Sequence, residues 1–451
     1  MFNETFLNTF LKLRYVPAPN TLFKNIYKLN PGTILEIDLL NQEILNETYY
    51  HDVPTTNKKI QKEEALEQYD FLLKKAVKRQ LMSDVPISLL LSGGVDSALL
   101  AKLVIEHSQS KLQTYTAGYE IRDNNINELE DADKTANILG IENRKIILKE
   151  NEFIDILPEL VEKIEEPLGS QSVFPIHFLS KKINQDGYKV VLTGQGVDEP
   201  WGGYLRYNPQ EIFETLSKLP IPFLNILRKT QKKDSFRRAL NTISEKNRSL
   251  RFTESYSLFD DDMLKSILKS DFYSLNKKNL TSQLIQDKLV KYNLLNKSAV
   301  ETMMSLDSRM NLSDDLLLYT DKISMQYSLE MRVPFLDIEL MNFAESLPYN
   351  LKVGLFKNKW LHKKLSEKHL PNEIIYRKKR GFYVPAKRWL EGDVGKIFEE
   401  MILNSENMKK YFEVNLISNL FTQHRLGRIN YEKQLYLLTV LCLWMDYNFK
   451  S

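Results

Sequence analysis

Between residues 85 and 204, short apolar runs alternate with segments of helical periodicity, and that alternation predicts an α/β fold: a parallel sheet with helices on both faces. Two further observations frame this core. Residues 1 to about 53 are turn-rich and β-prone, whereas beyond Tyr204 the strand signals fade and the chain reads as helices joined by polar loops. The expected order is therefore a short β-rich piece (1–53), an α/β core (54–207), a helical, loop-rich variable segment (208–300) and a mostly helical C-terminal region (301–451).

Each element has its own signal. In the first piece, YVPAPNTLF and KLNPGTILEIDL set Pro and Gly between short runs of Val, Ile, Leu and Tyr. EEALEQYDFLLKKAVKRQLM carries apolar residues at roughly helical spacing and leads into the strand VPISLLL, a tight turn and the helix SALLAKLVIEH. The pattern repeats as strand LQTYTAGY, helix LEDADKTANILG, strand NRKIIL, two helical segments and strand YKVVLTG. The Lys- and Asn-rich stretches 229–250 and 276–282 are expected as exposed loops, and neither an internal repeat nor a low-complexity tract is visible.

Composition narrows the function classes. A chain of 451 residues suggests two or three domains at ~150 residues each. Its 43% hydrophobic and 27% charged content is that of a folded protein, and a net charge of +3 gives a dedicated nucleic-acid binder little support. Cys442 is the sole cysteine, which excludes an intramolecular disulfide, a CxxC pair and a cysteine-rich zinc site. The longest apolar run near the C-terminus, LYLLTVLCLWM, is shorter than the ~18 to 20 residues of a membrane span, and MFNETFLNTF lacks a basic n-region. A soluble, cytoplasmic protein with neither membrane nor nucleic-acid partners is expected.

The chemistry gathers in two loops. LLLSGGVDSALLAK (89–102) ends a strand in glycines at a helix N-terminus, where unpaired N–H groups and the helix dipole attract an anion. Gly93 and Gly94 allow close approach, and Ser92 and Ser97 add hydroxyl donors. Asp96 would repel phosphate unless a divalent cation lies between them, and Mg²⁺ favours carboxylate and phosphate oxygens. The lysine-bearing GxxxxGK[ST] loop of P-loop NTPases is absent. VVLTGQGVDEPWGGY (190–204) again places glycines and acids after an apolar strand. Ligands of open α/β sheets gather at the carboxyl ends of strands, so the two acidic turns can share one metal.

SGGxDS is similar to the pyrophosphate loop of the ATP pyrophosphatase enzymes, which attack the α-phosphate so that AMP is attached to the substrate and pyrophosphate leaves. Together with VVLTGQGVDEPWGGY, LEMRVPFLD (329–337) and KKRGFYVPAKRWL (378–390), it makes the chain resemble the synthetase portion of glutamine-dependent asparagine synthetases over almost its whole length, most loosely between about 208 and 300. The resemblance implies ATP and Mg²⁺, with Asp96 and Asp198 holding the metal against pyrophosphate. It implies that Leu91, Ala117 and Gly194 contact adenosine through backbone and apolar surface. Lys379 would neutralise charge at the α-phosphate and at the tetrahedral intermediate formed when ammonia attacks the acyl-adenylate. Without the other motifs, Lys378, Lys379 and Arg380 read as a solvated basic run. Asp321 and Arg332 are either a structural ion pair or substrate contacts. His177 and His424 lack metal-ligand spacing and read as structural.

Two departures stand out. Glutamine-dependent relatives begin with a cysteine nucleophile exposed after Met1 is removed, whereas residue 2 here is Phe2. LRYVPAPNTLFKNIYKLNPGTILEID resembles only the last part of the glutaminase domain, so nitrogen is expected as ammonia from outside the chain, with a separate glutaminase subunit or a second copy as partner. Gln195 stands where many relatives have Glu or Asp, and an amide is no base near neutral pH. The readings left open are an amide ligase acting on aspartate, a relative joining a specialised carboxylate and amine in the manner of β-lactam synthetases or lasso-peptide cyclases, and a catalytically weak assembly subunit.

Overall fold

The computed structural model describes residues 1–449 apart from 51, 109, 121–126, 219–239, 241, 276–279, 356 and 379–383. It begins with a helix, α1 (Leu7–Leu13), all seven residues of which are buried. The segment YVPAPNTLF, expected to be β-prone, forms no strand beyond an isolated bridge from Phe2 to Phe23, because its prolines offer no N–H to a ladder. Only the second half of the first piece is sheet: β1 (Thr33–Asp38) and β2 (Glu43–Tyr49) make a two-stranded antiparallel ribbon.

The expected core follows element by element. Helix α2 (Lys62–Gln80) leads to β3 (Ile87–Leu90) and α3 (Val95–His107); β4 (Gln113–Tyr119), α4 (Leu129–Leu139) and β5 (Glu142–Leu148) repeat the unit. Helices α5 (Glu150–Ile164) and α6 (Val173–Gln185) then return the chain to β6 (Val190–Leu192). The sheet is parallel throughout, in the order β5-β4-β3-β6-β7, where β7 (Glu330–Arg332) is a strand the sequence reading did not foresee. Three residues are too few to display a two-residue period, and their partner β6 lies far away in the chain.

Side-chain alternation assigns the faces. Leu89 and Leu91 join α2, α3 and the segment Phe335–Ile375 in one core, while Tyr115, Ala117 and Tyr119, every second residue of β4, join α5, α6 and the C-terminal helices in another. Val191 and Leu192 fall into opposite cores. A third cluster gathers Leu160, Ile164 and Val173 with the helix Ala299–Arg309. The last helix, Glu432–Asn448, contains LYLLTVLCLWM and is buried along almost its whole length; a helix apolar on all sides belongs in a core. No helix among the described residues is long and apolar enough to cross a membrane.

Parts of the two Lys- and Asn-rich stretches expected as exposed loops are buried. Thr281 and Ser282 are buried in the first turn of the helix Leu280–Lys291, where the Thr281 hydroxyl lies 3.0 Å from that of Thr9. Thr242 and Ser249 are buried as well. Residues 229–239 and 276–279 lie outside the described residues.

Candidate active site

Strands β3 and β6 are neighbours, and from β3 the chain progresses outward through β4 to β5 before β6 opens the other half of the sheet. The loops after β3 and β6 therefore emerge side by side at the switch point of an open parallel sheet. The first loop needs its first glycine: Gly93 has φ +72°, and a Cβ there would sit 2.7 Å from the backbone of Asp131 and Ala132 in α4. Gly94, in extended backbone at the N-terminus of α3, meets nothing closer than the Ser92 hydroxyl at 3.5 Å, so the protein itself does not require a glycine there.

Hydroxyls knit this loop together. The Ser92 N–H donates to the Ser97 Oγ at 3.1 Å, the two hydroxyls lie 3.0 Å apart, and the Ser97 hydroxyl donates to the Gly94 carbonyl at 3.3 Å. The Leu91 side chain is in the core and its carbonyl accepts from the Thr116 hydroxyl at 2.6 Å; Ala117 is buried one strand away. The second loop presses on the first: a Cβ on Gly194 would lie 3.1 Å from the Ser97 nitrogen and 3.3 Å from the Asp96 backbone.

Asp96 and Asp198 meet at one cation. The Lys359 ammonium lies 2.5 Å from Asp96 Oδ2 and 2.6 Å from Asp198 Oδ1, with its side chain buried. Asp198 begins the short helix α7 (Asp198–Trp201). Lys359 occupies the left-handed region at φ 53°, unusual for a residue with a long side chain and worth roughly 1–3 kcal/mol of local strain. Space for it depends on Gly203, where a Cβ would fall 1.7 Å from Asp198 Oδ1 and 2.4 Å from Lys359 Cε. His362 Nε2 is 3.1 Å from Asp96 Oδ1, and His362 Nδ1 is 2.6 Å from the Tyr69 hydroxyl, whose ring stacks on Trp201 at 3.8 Å. Burial pulls the His362 imidazole below its ordinary pKa despite Asp96. Beside this group, Glu199 is buried and raised to about 7 by burial first and by Asp198 second, and it accepts a 2.6 Å hydrogen bond from Tyr204.

Two hard oxygen donors at a position already holding a cation form a set that suits Mg²⁺, which takes one or two protein carboxylates and completes its shell with phosphate and water. Lys359, His362 and Tyr69 escaped the sequence reading. FKNKWLHKK offers several equivalent lysines, and a positive φ leaves no mark in the sequence. Arg377 escaped too, hidden in a basic run; its guanidinium donates to the carbonyls of Gly93 at 2.7 Å and Asp131 at 2.8 Å and to the Thr135 hydroxyl. Lys378 is exposed, and Lys379 and Arg380 lie outside the described residues.

The remaining expectations separate. The Gln195 amide oxygen accepts from the Thr320 hydroxyl at 3.2 Å, on the helix Leu317–Met325 that also carries the exposed Asp321. Among the described residues no ion pair joins Asp321 to Arg332. Arg332 instead donates to the carbonyls of Gln80 and Met82 at the end of α2 and pairs with Glu330, while its own carbonyl accepts from the Thr193 N–H at 3.0 Å. His177 lies against the Tyr327 hydroxyl with its pKa lowered to about 4 by burial, and His424 accepts from the Tyr431 N–H while facing the Lys387 carbonyl, so both are structural as expected. Cys442 is buried and its thiol pushed up to about 12, chiefly by burial, which leaves no thiolate for nucleophilic attack.

The chain is 26% identical to asparagine synthetase [glutamine-hydrolyzing] 1 of Bacillus subtilis, over 99% of its own length and 69% of that protein. It is 27% identical to a putative asparagine synthetase [glutamine-hydrolyzing] of Mycobacterium tuberculosis, over 97% of its length and 66% of the relative. The amidase chyE of Penicillium rubens is 23% identical over 86% of the chain and 63% of that protein. The chain thus spans about two thirds of the length of these relatives. Residues 68–446 match the asparagine synthase family model, and with more than half of its length so matched the chain belongs to the asparagine synthase family.

Proposed function

We propose that this chain is an ATP-dependent, AMP-forming amide ligase that activates a carboxylate, aspartate by default, as an acyl-adenylate and transfers ammonia to it. The observation that carries the reading is the meeting of Asp96 and Asp198, from the loops of two adjacent strands, at a single cation in front of the N-terminus of α3. Asp96 and Asp198 would hold Mg²⁺, which neutralises polyphosphate charge when bound. The N–H groups of Gly94 and the first turn of α3, with Ser92 and Ser97, face the leaving pyrophosphate. Leu91, Ala117 and Gly194 line the adenosine side. Lys379 supplies positive charge to the α-phosphate and to the tetrahedral intermediate; Arg377, two residues earlier, donates to the Gly93 carbonyl. Gln195 orients the acceptor or amine through its amide, with Thr320 fixing the side chain, and is no base. Asp321 is exposed and would contact the incoming substrate, whereas such a role for Arg332 requires it to release the end of α2.

Pyrophosphate release over a panel of carboxylic acids tests this reading. Ammonium should support AMP and amide formation while glutamine alone should not, because Cys442 is the chain's one thiol and is buried. Asp96→Asn and Asp198→Asn should each reduce release at least ~100-fold and the double variant should lose little more, since residues acting as a unit are non-additive. Additive losses would argue against a shared metal. A second reading, amide formation on a specialised metabolite, is favoured by Gln195 and by the similarity to a fungal amidase. Turnover with another acid and none with aspartate would select it.

A further inference from the structure

Lys359 sits where the divalent cation of the proposed reaction belongs, and several features of the fold exist to keep it there. Its backbone is held at φ 53°, its side chain is buried, and Gly203 leaves the space that its Cε and Asp198 fill. The Lys359 N–H reaches the Gly202 carbonyl at 3.3 Å, and the Asn358 amide donates to the Gly203 carbonyl at 3.3 Å, so the lysine and the α7 turn are fastened to each other. A lysine is also the cation suited to this place: a compact charge can contact two carboxylates from different loops, where a planar guanidinium would favour one. We propose that Lys359 is a resident counter-cation that keeps free Mg²⁺ from the Asp96–Asp198 pair until a polyphosphate arrives, and that it then passes from carboxylate to phosphate oxygen. The inference rests on the reading of Asp96 and Asp198 as metal-holding carboxylates.

Three physical reasons set the order of events. An ammonium tethered to the fold competes with a dissolved ion without losing translational freedom. Mg²⁺ dehydrates reluctantly and completes its shell with phosphate oxygens, so two carboxylates alone offer it little. One monovalent charge between two carboxylates leaves the group net negative, and an arriving polyphosphate makes it more so. At that point both a divalent ion and the lysine are needed, and the lysine gains a new anionic partner. Metal and polyphosphate therefore bind together, and either alone binds weakly.

Binding of Mn²⁺, counted by the electron paramagnetic resonance of the free ion, tests this without turnover. The full chain is compared with Lys359→Met and with Lys359→Met/Asp96→Asn, in the absence of nucleotide and with inorganic pyrophosphate. Removing the lysine should tighten nucleotide-free Mn²⁺ binding at least about tenfold, since the competent carboxylate pair no longer has to be vacated. Mn²⁺ should raise the thermal midpoint of Lys359→Met more than that of the wild type, and the added Asp96→Asn should remove both gains. Pyrophosphate should tighten Mn²⁺ binding strongly in the wild type and much less in Lys359→Met. Equal Mn²⁺ affinity of wild type and Lys359→Met overturns the inference, as does wild-type affinity that pyrophosphate leaves unchanged. If Lys359→Met does not fold, Lys359→Gln makes the same comparison, and the wild-type response to pyrophosphate decides independently. Should Asp96→Asn and Asp198→Asn leave Mn²⁺–pyrophosphate binding intact, the reading of the two carboxylates fails; should they weaken it while the lysine variant behaves as wild type, only the present inference fails.

Discussion

Gly203 is where one added carbon discriminates most sharply between a loop and a site. A methyl group there would overlap Asp198 Oδ1 and crowd Lys359 Cε, so Gly203→Ala must displace the carboxylate, the lysine or the α7 turn. Misplacing a reacting constellation by about 1 Å costs on the order of 100-fold, so pyrophosphate release should fall by at least that much. The change lies at the edge of the cores, so the thermal midpoint should move far less than it does for a core truncation such as Leu89→Ala. Steady-state kinetics and thermal melts on the same preparations check both. The WGGY signature drew attention to this stretch, but the reason for its second glycine is visible only once Lys359 has been brought in from 156 positions away.

Among elements, those with a clear period were legible and those defined by tertiary partners were not. Strands β3, β4 and β6 lie within the runs expected for them, β5 begins one residue ahead of its run at Glu142, and α2 spans almost all of its amphipathic segment. Strand β7 exists because β6 presents an open edge. The π-helical turn Leu312–Leu316 buries two adjacent acids, which no pattern in NLSDDLLLYTDK announces. Its partners come from the N-terminal piece: Asp314 accepts from the Ala18 N–H at 3.1 Å and pairs with Lys28 at 3.8 Å, whereas Asp315 pairs with Arg14 at 3.6 Å. Burial raises the Asp315 carboxyl to about 6, with Arg14 opposing and Asp314 assisting. A carboxyl whose folded pKa exceeds its unfolded value of ~3.9 binds its proton more tightly in the folded chain. Its contribution to stability is therefore fully present below pH ~4 and is lost as pH rises to about 6. Relative to wild type, Asp315→Asn should gain stability across that window, by about 2–3 kcal/mol in total, and the difference should be flat above it. Chemical denaturation at pH 4, 5, 6 and 7.5 measures the slope; a constant difference would mean that folding leaves the Asp315 pKa at its unfolded value.

At the scale of the molecule, the first piece has two parts with different fates. Phe2, Leu7, Phe10, Leu11, Val16 and Leu22 pack into the core that contains the last helix, so this part is docked on the rest of the chain. The β1–β2 ribbon is anchored at its open end, where Thr33 pairs with Tyr49 and the Tyr49 ring meets Tyr292, but it leaves Ile34, Ile37, Leu39, Leu40, Ile44 and Leu45 exposed. Apolar side chains beside strand edges form a template for another chain, and a separate glutaminase subunit or a second copy is the occupant we propose. Ile44→Lys with Leu45→Lys should weaken such association, read by light scattering, while ammonium-dependent pyrophosphate release stays within about twofold, because the ribbon belongs to a different sheet from the two loops. Carboxylate activation at the Asp96–Asp198 site is the central step of the proposed reaction. Its most direct test is to supply the accepted carboxylic acid labelled with ¹⁸O and to weigh the nucleotide product: AMP carrying one ¹⁸O from the carboxylate is expected, together with pyrophosphate, and unlabelled AMP or a product mixture of ADP and phosphate would overturn carboxylate activation.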